Sequence, residues 1–135
     1  MDKPKANSVG AGQSNRALIY LVDDEPMLLE LASVMLAPLG YRIETFHAAK
    51  AALRAFKAAE APPALIITDY EMDAMTGLDL MEACRQIQPR QKFLLVSGTV
   101  GPDIFEAGPV KPARFLAKPY QSKQLIDLVE EVLAD

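Results

Sequence analysis

The chain has one cysteine, one histidine and no apolar run long enough to span a bilayer. A lone cysteine, Cys84, rules out an internal disulfide and fits a reducing compartment. A membrane helix needs about 20 consecutive apolar residues, and the polar N-terminus is unlike a signal peptide. Positive charge is not in excess either. Lys and Arg number 14 against 18 Asp and Glu, and the formal net charge of −4 offers no general attraction to nucleic acid or anionic lipid. No glycine-rich phosphate loop follows the first strand, where Asp23-Asp24-Glu25-Pro26 stands instead. These absences leave one small cytoplasmic domain, without direct nucleic-acid binding and without a membrane span.

What is present is an alternation of strand-like and helix-like segments over 135 residues, half of them apolar. Residues 1–16 carry little to bury and read as a flexible N-terminal tail, with the domain proper at 17–135. The run Leu65-Ile66-Ile67-Thr68-Asp69 is the organising stretch, a strand apolar on both faces that ends in a carboxylate. Ala17 to Val22 is a second buried strand, running into Asp23 and Asp24. Pro26 suits the first turn of a helix whose inward stripe is Leu28, Leu31, Ala32, Met35 and Leu39, stopped at Gly40. Tyr41 to Thr45 reads as a less buried strand, and Ala48 to about Ala59 as a helix with Leu53 and Phe56 inward. Gly77 precedes a helix carrying Leu78, Met81, Cys84 and Ile87. Phe93 to Val96 is a strand ending in Ser97, Phe115 to Ala117 one ending in Lys118, and Gln121 to Leu133 a terminal helix. His47 reads as an exposed residue at a helix start.

Such alternation predicts an α/β fold, a parallel sheet between helical layers with right-handed crossovers. One stretch breaks the rhythm. Gly98, Gly101, Pro102, Gly108, Pro109 and Pro112 crowd the segment before Arg114 and leave room for one or two helical turns near Asp103 to Ala107. The fourth helix is expected to be short or irregular.

In open parallel sheets, chemistry gathers beyond the carboxyl ends of the strands. Those ends carry Asp23, Asp24, Asp69, Ser97 and Lys118. Taken singly, each has a bland reading: helix-start acids, a turn acid, a turn serine, a surface lysine. Together they form a set. Three carboxylates in one site need a counter-charge, and an oxygen-seeking Mg²⁺ supplies it. A carboxylate beside Mg²⁺, with an ammonium and a hydroxyl converging, suits phosphoryl chemistry, with Asp69 as nucleophile.

On Val22-Asp23-Asp24-Glu25, Asp69 with Met75-Thr76-Gly77, Ser97-Gly98 and Lys118-Pro119-Tyr120, the chain resembles a two-component response-regulator receiver domain over about residues 17 to 134. The resemblance implies a flavodoxin-like (βα)5 three-layer sandwich with sheet order 2-1-3-4-5. It implies that Asp69 is the phosphoacceptor, and that Asp24, Asp69 and the Glu71 backbone carbonyl ligate Mg²⁺, with Asp23 acting mainly through water. Ser97 would shift to the phosphoryl group, Lys118 would neutralise one of its oxygens, and Phe115 would be the switch aromatic. A cis Lys118-Pro119 peptide is also implied. Glu71 and Thr99 would tune hydrolysis. The donor would be a phosphohistidine on a histidine kinase or phosphotransfer protein, the reader a downstream effector protein, and the state a monomer or weak dimer.

Two features depart from the family pattern: Asp73 stands where many relatives have proline, and the fourth helix is reduced, as in some single-domain and hybrid-kinase receivers. Leu29, Val34 and Leu36 of the first helix fall outside its expected core stripe and are taken as a docking patch for the donor. Two other readings use the same sheet. One is a module that signals by docking alone. The other is a phosphatase, against which Asp69-Tyr70-Glu71 lacks a second aspartate two residues on.

Overall fold

The computed structural model describes residues 16–135. The expected tail therefore lies outside the described residues, apart from its last member. Arg16 belongs to the domain. Its guanidinium donates to the Leu39 carbonyl at 3.1 Å, pairs with Glu130 at 3.2 Å and lies 4.3 Å from the Tyr41 ring centroid.

Five strands, β1 (Leu18–Val22), β2 (Arg42–Phe46), β3 (Leu65–Asp69), β4 (Phe93–Ser97) and β5 (Arg114–Ala117), form one parallel sheet in the order β2-β1-β3-β4-β5. The helices are α1 (Pro26–Leu36), α2 (Ala49–Ala58), α3 (Gly77–Ile87), α4 (Asp103–Glu106) and α5 (Ser122–Ala134). This is the expected flavodoxin-like three-layer sandwich. Alternation along the strands divides the core. Ile19, Leu21, Leu65, Ile67, Leu94 and Val96 pack toward α1 and α5. Tyr20, Val22, Ile66 and Phe93 pack toward α2 and α3. β1, β3 and β4 are covered on both faces, which is why their sequences read as continuous apolar runs. Each fully buried aliphatic side chain there contributes about 1.5–3 kcal/mol.

The α1 helix ends earlier than expected. Pro38 has no N–H to donate to the carbonyl four residues back, so the chain tightens into a 3-10 turn over Ala37–Leu39. Gly40 then closes it at φ 90°, its N–H on the Ala37 carbonyl at 3.0 Å.

The face assigned to α1 needs correction. Leu29 is 4 % exposed and Leu36 fully buried, so two members of the expected docking patch are core; Leu31, expected inside, is 48 % exposed. Val34 alone of the patch faces out, at 62 %. The physical reason lies in the composition of Pro26–Leu36, apolar on nearly every face. A helical period cannot select a buried stripe when polar residues do not mark the other side. A smaller error of the same kind occurs on α3, where Leu80 is fully buried and Ile87 half exposed.

The α4 helix occupies four residues within the expected window. Cys84 is buried among the α2–α3 core residues, and His47 is exposed.

Candidate functional site

Each site residue arrives by extension of a strand. The Asp23 N–H continues the ladder to the Phe46 carbonyl at 3.1 Å, Tyr70 N–H reaches Val96 O at 2.8 Å, and Lys118 N–H reaches Ser97 O at 2.9 Å. Asp23, Asp69, Ser97 and Lys118 are thereby fixed by backbone before their side chains meet. Asp23 is held further: its Oδ1 accepts the Glu25 N–H at 2.9 Å, closing the turn into α1.

The side chains of Asp23, Asp69 and Lys118 meet. Lys118 Nζ lies 3.2 Å from Asp23 Oδ2 and 3.2 Å from Asp69 Oδ1. Both carboxylates are nearly buried, whereas Asp24 stands at the exposed rim. Around the exposed side of Asp69 is a cleft of about 480 Å³, lined by Asp24, Glu25, Glu71, Thr99 and Lys118. The Lys118-Pro119 peptide is cis.

Burial pushes the Asp69 carboxyl from 3.8 up to about 6; Lys118 opposes the rise, and the Asp23 and Glu71 charges add to it. Lys118 is shifted upward in turn. Burial alone would lower its pKa, but the Asp69 and Asp23 carboxylates outweigh that. Its ammonium is shared between two acids, one cation for two anions, and Asp69 Oδ1 is left without an aligned hydrogen bond despite the nearby charge.

The donor set fits a hard cation. Asp23, Asp24 and Asp69 can each present one oxygen, all within 4.8 Å of one another, and the acids outnumber the single lysine. A divalent ion with oxygen preference matches both that charge deficit and the orphaned Asp69 oxygen.

The loop after β3 is built for close approach. A Cβ on Gly77 would lie 2.5 Å from the Asp69 carbonyl oxygen and 2.9 Å from Leu95 Cδ1, so only glycine lets α3 start this near the site. Thr76 and Asp79 form a capping box there, each side chain accepting the other's backbone N–H at 3.1 Å. Ala74 takes φ 69° to complete the turn.

Ser97 is buried and fully bonded. Its hydroxyl donates to Glu71 Oε2 at 2.8 Å and accepts the N–H groups of Thr99 and Val100 at 3.1 and 3.0 Å. The Thr99 hydroxyl donates to the same Glu71 oxygen. This bridge was not legible in the sequence, which marked Glu71 for its backbone carbonyl; only the fold brings the two loops together. Tyr120, quoted in the sequence only as part of Lys118-Pro119-Tyr120 and given no role there, lines a small cavity with Asp23, Asp69 and Lys118. Phe115 pairs with Leu95 in the sheet and is half-buried, its ring 6.1 Å from that of Phe105 on α4.

Fold and site together define a flavodoxin-like domain with an acidic, lysine-bridged centre at its strand ends. Comparison with known proteins places it more narrowly. A family model described as the response regulator receiver domain matches residues 19–130. The chain belongs to that family, a signalling domain of two-component systems rather than a turnover enzyme. It is 29% identical over 119 residues to the transcriptional regulatory protein GlrR of Escherichia coli, covering 87% of this chain and 26% of that protein. It is 30% identical over 103 residues to the transcriptional regulatory protein KdpE of Mycobacterium tuberculosis, covering 76% and 45%. The chain thus spans less than half the length of these relatives. The crystal structure of the Vibrio cholerae chemotaxis protein CheY4 superposes with a TM-score of 0.78 at 26% identity, covering 86% of this chain and 98% of that one. Among the described residues, no helix is long and apolar enough to cross a membrane.

Proposed function

We propose that Asp69 accepts a phosphoryl group from a phosphohistidine on a histidine kinase or phosphotransfer protein, and that the phosphorylated domain is read by a downstream effector protein. The observation that carries this reading is the Lys118 ammonium held 3.2 Å from Asp69 at the mouth of an acidic cleft. A carboxylate with a raised pKa is more basic than an ordinary aspartate and still ionised at neutral pH, which suits a nucleophile. In the transfer, an Asp69 oxygen forms a bond to phosphorus while the phosphorus–nitrogen bond of the donor breaks. The leaving imidazole nitrogen keeps the electron pair and takes a proton from water.

Lys118 is positioned to offset charge on a phosphoryl oxygen, and that role draws it from Asp69. Ser97 can reach the phosphoryl group only by giving up its bond to Glu71, so phosphorylation competes with the Glu71 bridge. Asp24, Asp69 and the Glu71 carbonyl would hold Mg²⁺, with Asp23 in support through water. The bound ion would supply positive charge to the transferring oxygens. Glu71 and Thr99 are placed to tune hydrolysis. Phe115, through its contact with Phe105, would carry the change at Ser97 to α4.

Donor docking belongs on α1, on a different face from the one expected. Met27, Leu31 and Val34, exposed at 75 %, 48 % and 62 %, follow one another at successive turns beside the acidic rim. Leu31→Lys should slow transfer from the cognate donor; undiminished transfer would remove this surface.

The deciding experiment is amide NMR with Mg²⁺ and beryllofluoride on the wild type and Asp69→Asn. Mg²⁺-dependent shifts at Asp69, Ser97 and residues 98–114, absent in the variant, are expected. No response in the wild type would overturn the phosphoacceptor role and leave a domain that signals by docking alone.

A further inference from the structure

The shortness of α4 has a spatial consequence. Every other α-helix spans ten residues or more, whereas α4 spans four and cannot cover the side of α3 that it faces. An open groove of about 150 Å³ remains, with Leu78 and Glu82 on one wall and Ile104, Phe105 and Val110 on the other. Ile104 is 39 % exposed there. The floor is apolar, and among the described residues the only charged side chains lining the groove are the carboxylates of Asp79 and Glu82. Arg85, the α3 residue one turn beyond, forms no ion pair with either of them among the described residues. Its guanidinium is committed to the carbonyls of Gln91 at 3.1 Å and Lys111 at 2.6 Å.

We propose that this groove docks a partner segment presenting aliphatic side chains flanked by lysine or arginine. Apolar walls supply the contact, and the two carboxylates, neither of them in an ion pair among the described residues although Asp79 also caps α3, select cationic flanks and disfavour anionic ones. A second copy of this chain suits the groove poorly. It carries a net charge of −4, and its own exposed apolar stripe, Met27, Leu31 and Val34, lies among Asp24, Glu25 and Glu30. Docking itself depends only on the groove. Its coupling to the acidic site rests on the phosphoacceptor reading. The path is short: Phe105 lines the groove and packs on Phe115, and Phe115 pairs with Leu95 two residues before Ser97.

The test is selection of a random-sequence peptide library on the full chain, followed by amide NMR with the enriched peptides. Peptides with aliphatic anchors and basic flanks are expected, shifting Leu78, Glu82, Ile104 and Val110. Affinity should fall roughly tenfold in Glu82→Lys and in Ile104→Asp, both at exposed positions whose change leaves the fold intact. Asp69→Asn should bind like the wild type, because it leaves the groove untouched. That variant separates the two readings: retained peptide binding alongside a failed beryllofluoride response in the wild type would strike phosphoacceptance and leave docking standing. No enrichment, neutral or acidic peptides, shifts elsewhere, or affinity unchanged in both groove variants would overturn the proposal.

Discussion

Replacing Asp69 by asparagine should make the domain more stable at neutral pH, and the structure indicates by how much. The carboxyl is 6 % exposed and its pKa rises from 3.8 to about 6 on folding. The folded state therefore holds the proton more tightly than the unfolded chain. Below about pH 3.8 both states are protonated and ionisation costs nothing. The cost develops between pH 3.8 and about 6 and is complete above that. At 1.36 kcal/mol for each pH unit, the full penalty is about 3 kcal/mol. Asparagine removes it, but also deprives Lys118 of one of its two partners, so a net gain of about 1–3 kcal/mol is expected. With a urea slope of about 1–3 kcal/mol/M for a small domain, the unfolding midpoint should rise by on the order of 1 M. The measurement is urea unfolding of both proteins in EDTA at several pH values. The gain should be full at pH 7.5 and shrink toward pH 4, and Mg²⁺ should stabilise the wild type more than the variant. An asparagine variant less stable than the wild type, or a gain that does not change with pH, would refute the electrostatic account.

Three further outcomes follow from the loops around the site. Gly77→Ala drives a Cβ to 2.5 Å from the Asp69 carbonyl oxygen and should cost about 2–3 kcal/mol, read as a lower urea midpoint. Ala74→Gly relieves a left-handed backbone at φ 69° and should stabilise by about 0.5–1 kcal/mol in the same assay; a loss would mean that the Ala74 side chain matters more than its strain. Glu71→Ala removes the acceptor shared by Ser97 and Thr99. Amide exchange at residues 98–101 should accelerate, at a stability cost of about 1 kcal/mol; unchanged exchange would show that the bridge does not hold that loop.

Much of this molecule was legible in its sequence because burial and chemistry change abruptly at the same places. Leu65 to Ile67 is apolar on both faces and Asp69 follows, so strand, sheet type and site position come from one stretch. Ser97 and Lys118 were found in the same way, and Gly and Pro marked the short α4. The inward face of α1 was not legible, because Pro26–Leu36 has too few polar residues to mark its outside, and only packing against β1 and α5 decides it. Arg16 looked like tail because its partners, Leu39, Tyr41 and Glu130, are distant in sequence. Glu71 shows the same limit at the site, since its carboxylate acts across two loops 26 residues apart.

The order in which the strands are made matters for how the acidic centre comes into being. β1 and β3 are neighbours in the sheet, so a chain growing from its N-terminus can bring Asp23 and Asp69 side by side once residue 69 has emerged. The cation that reconciles them is 95 residues beyond Asp23 and belongs to the last strand exit to be synthesised. Until then the paired strands carry two acids at their carboxyl ends without that lysine, and their repulsion opposes the pairing. Lys118 thus acts as a late electrostatic clasp: the first three strands have every apolar reason to assemble early, but their acids gain an internal counter-charge only when the fifth has been added.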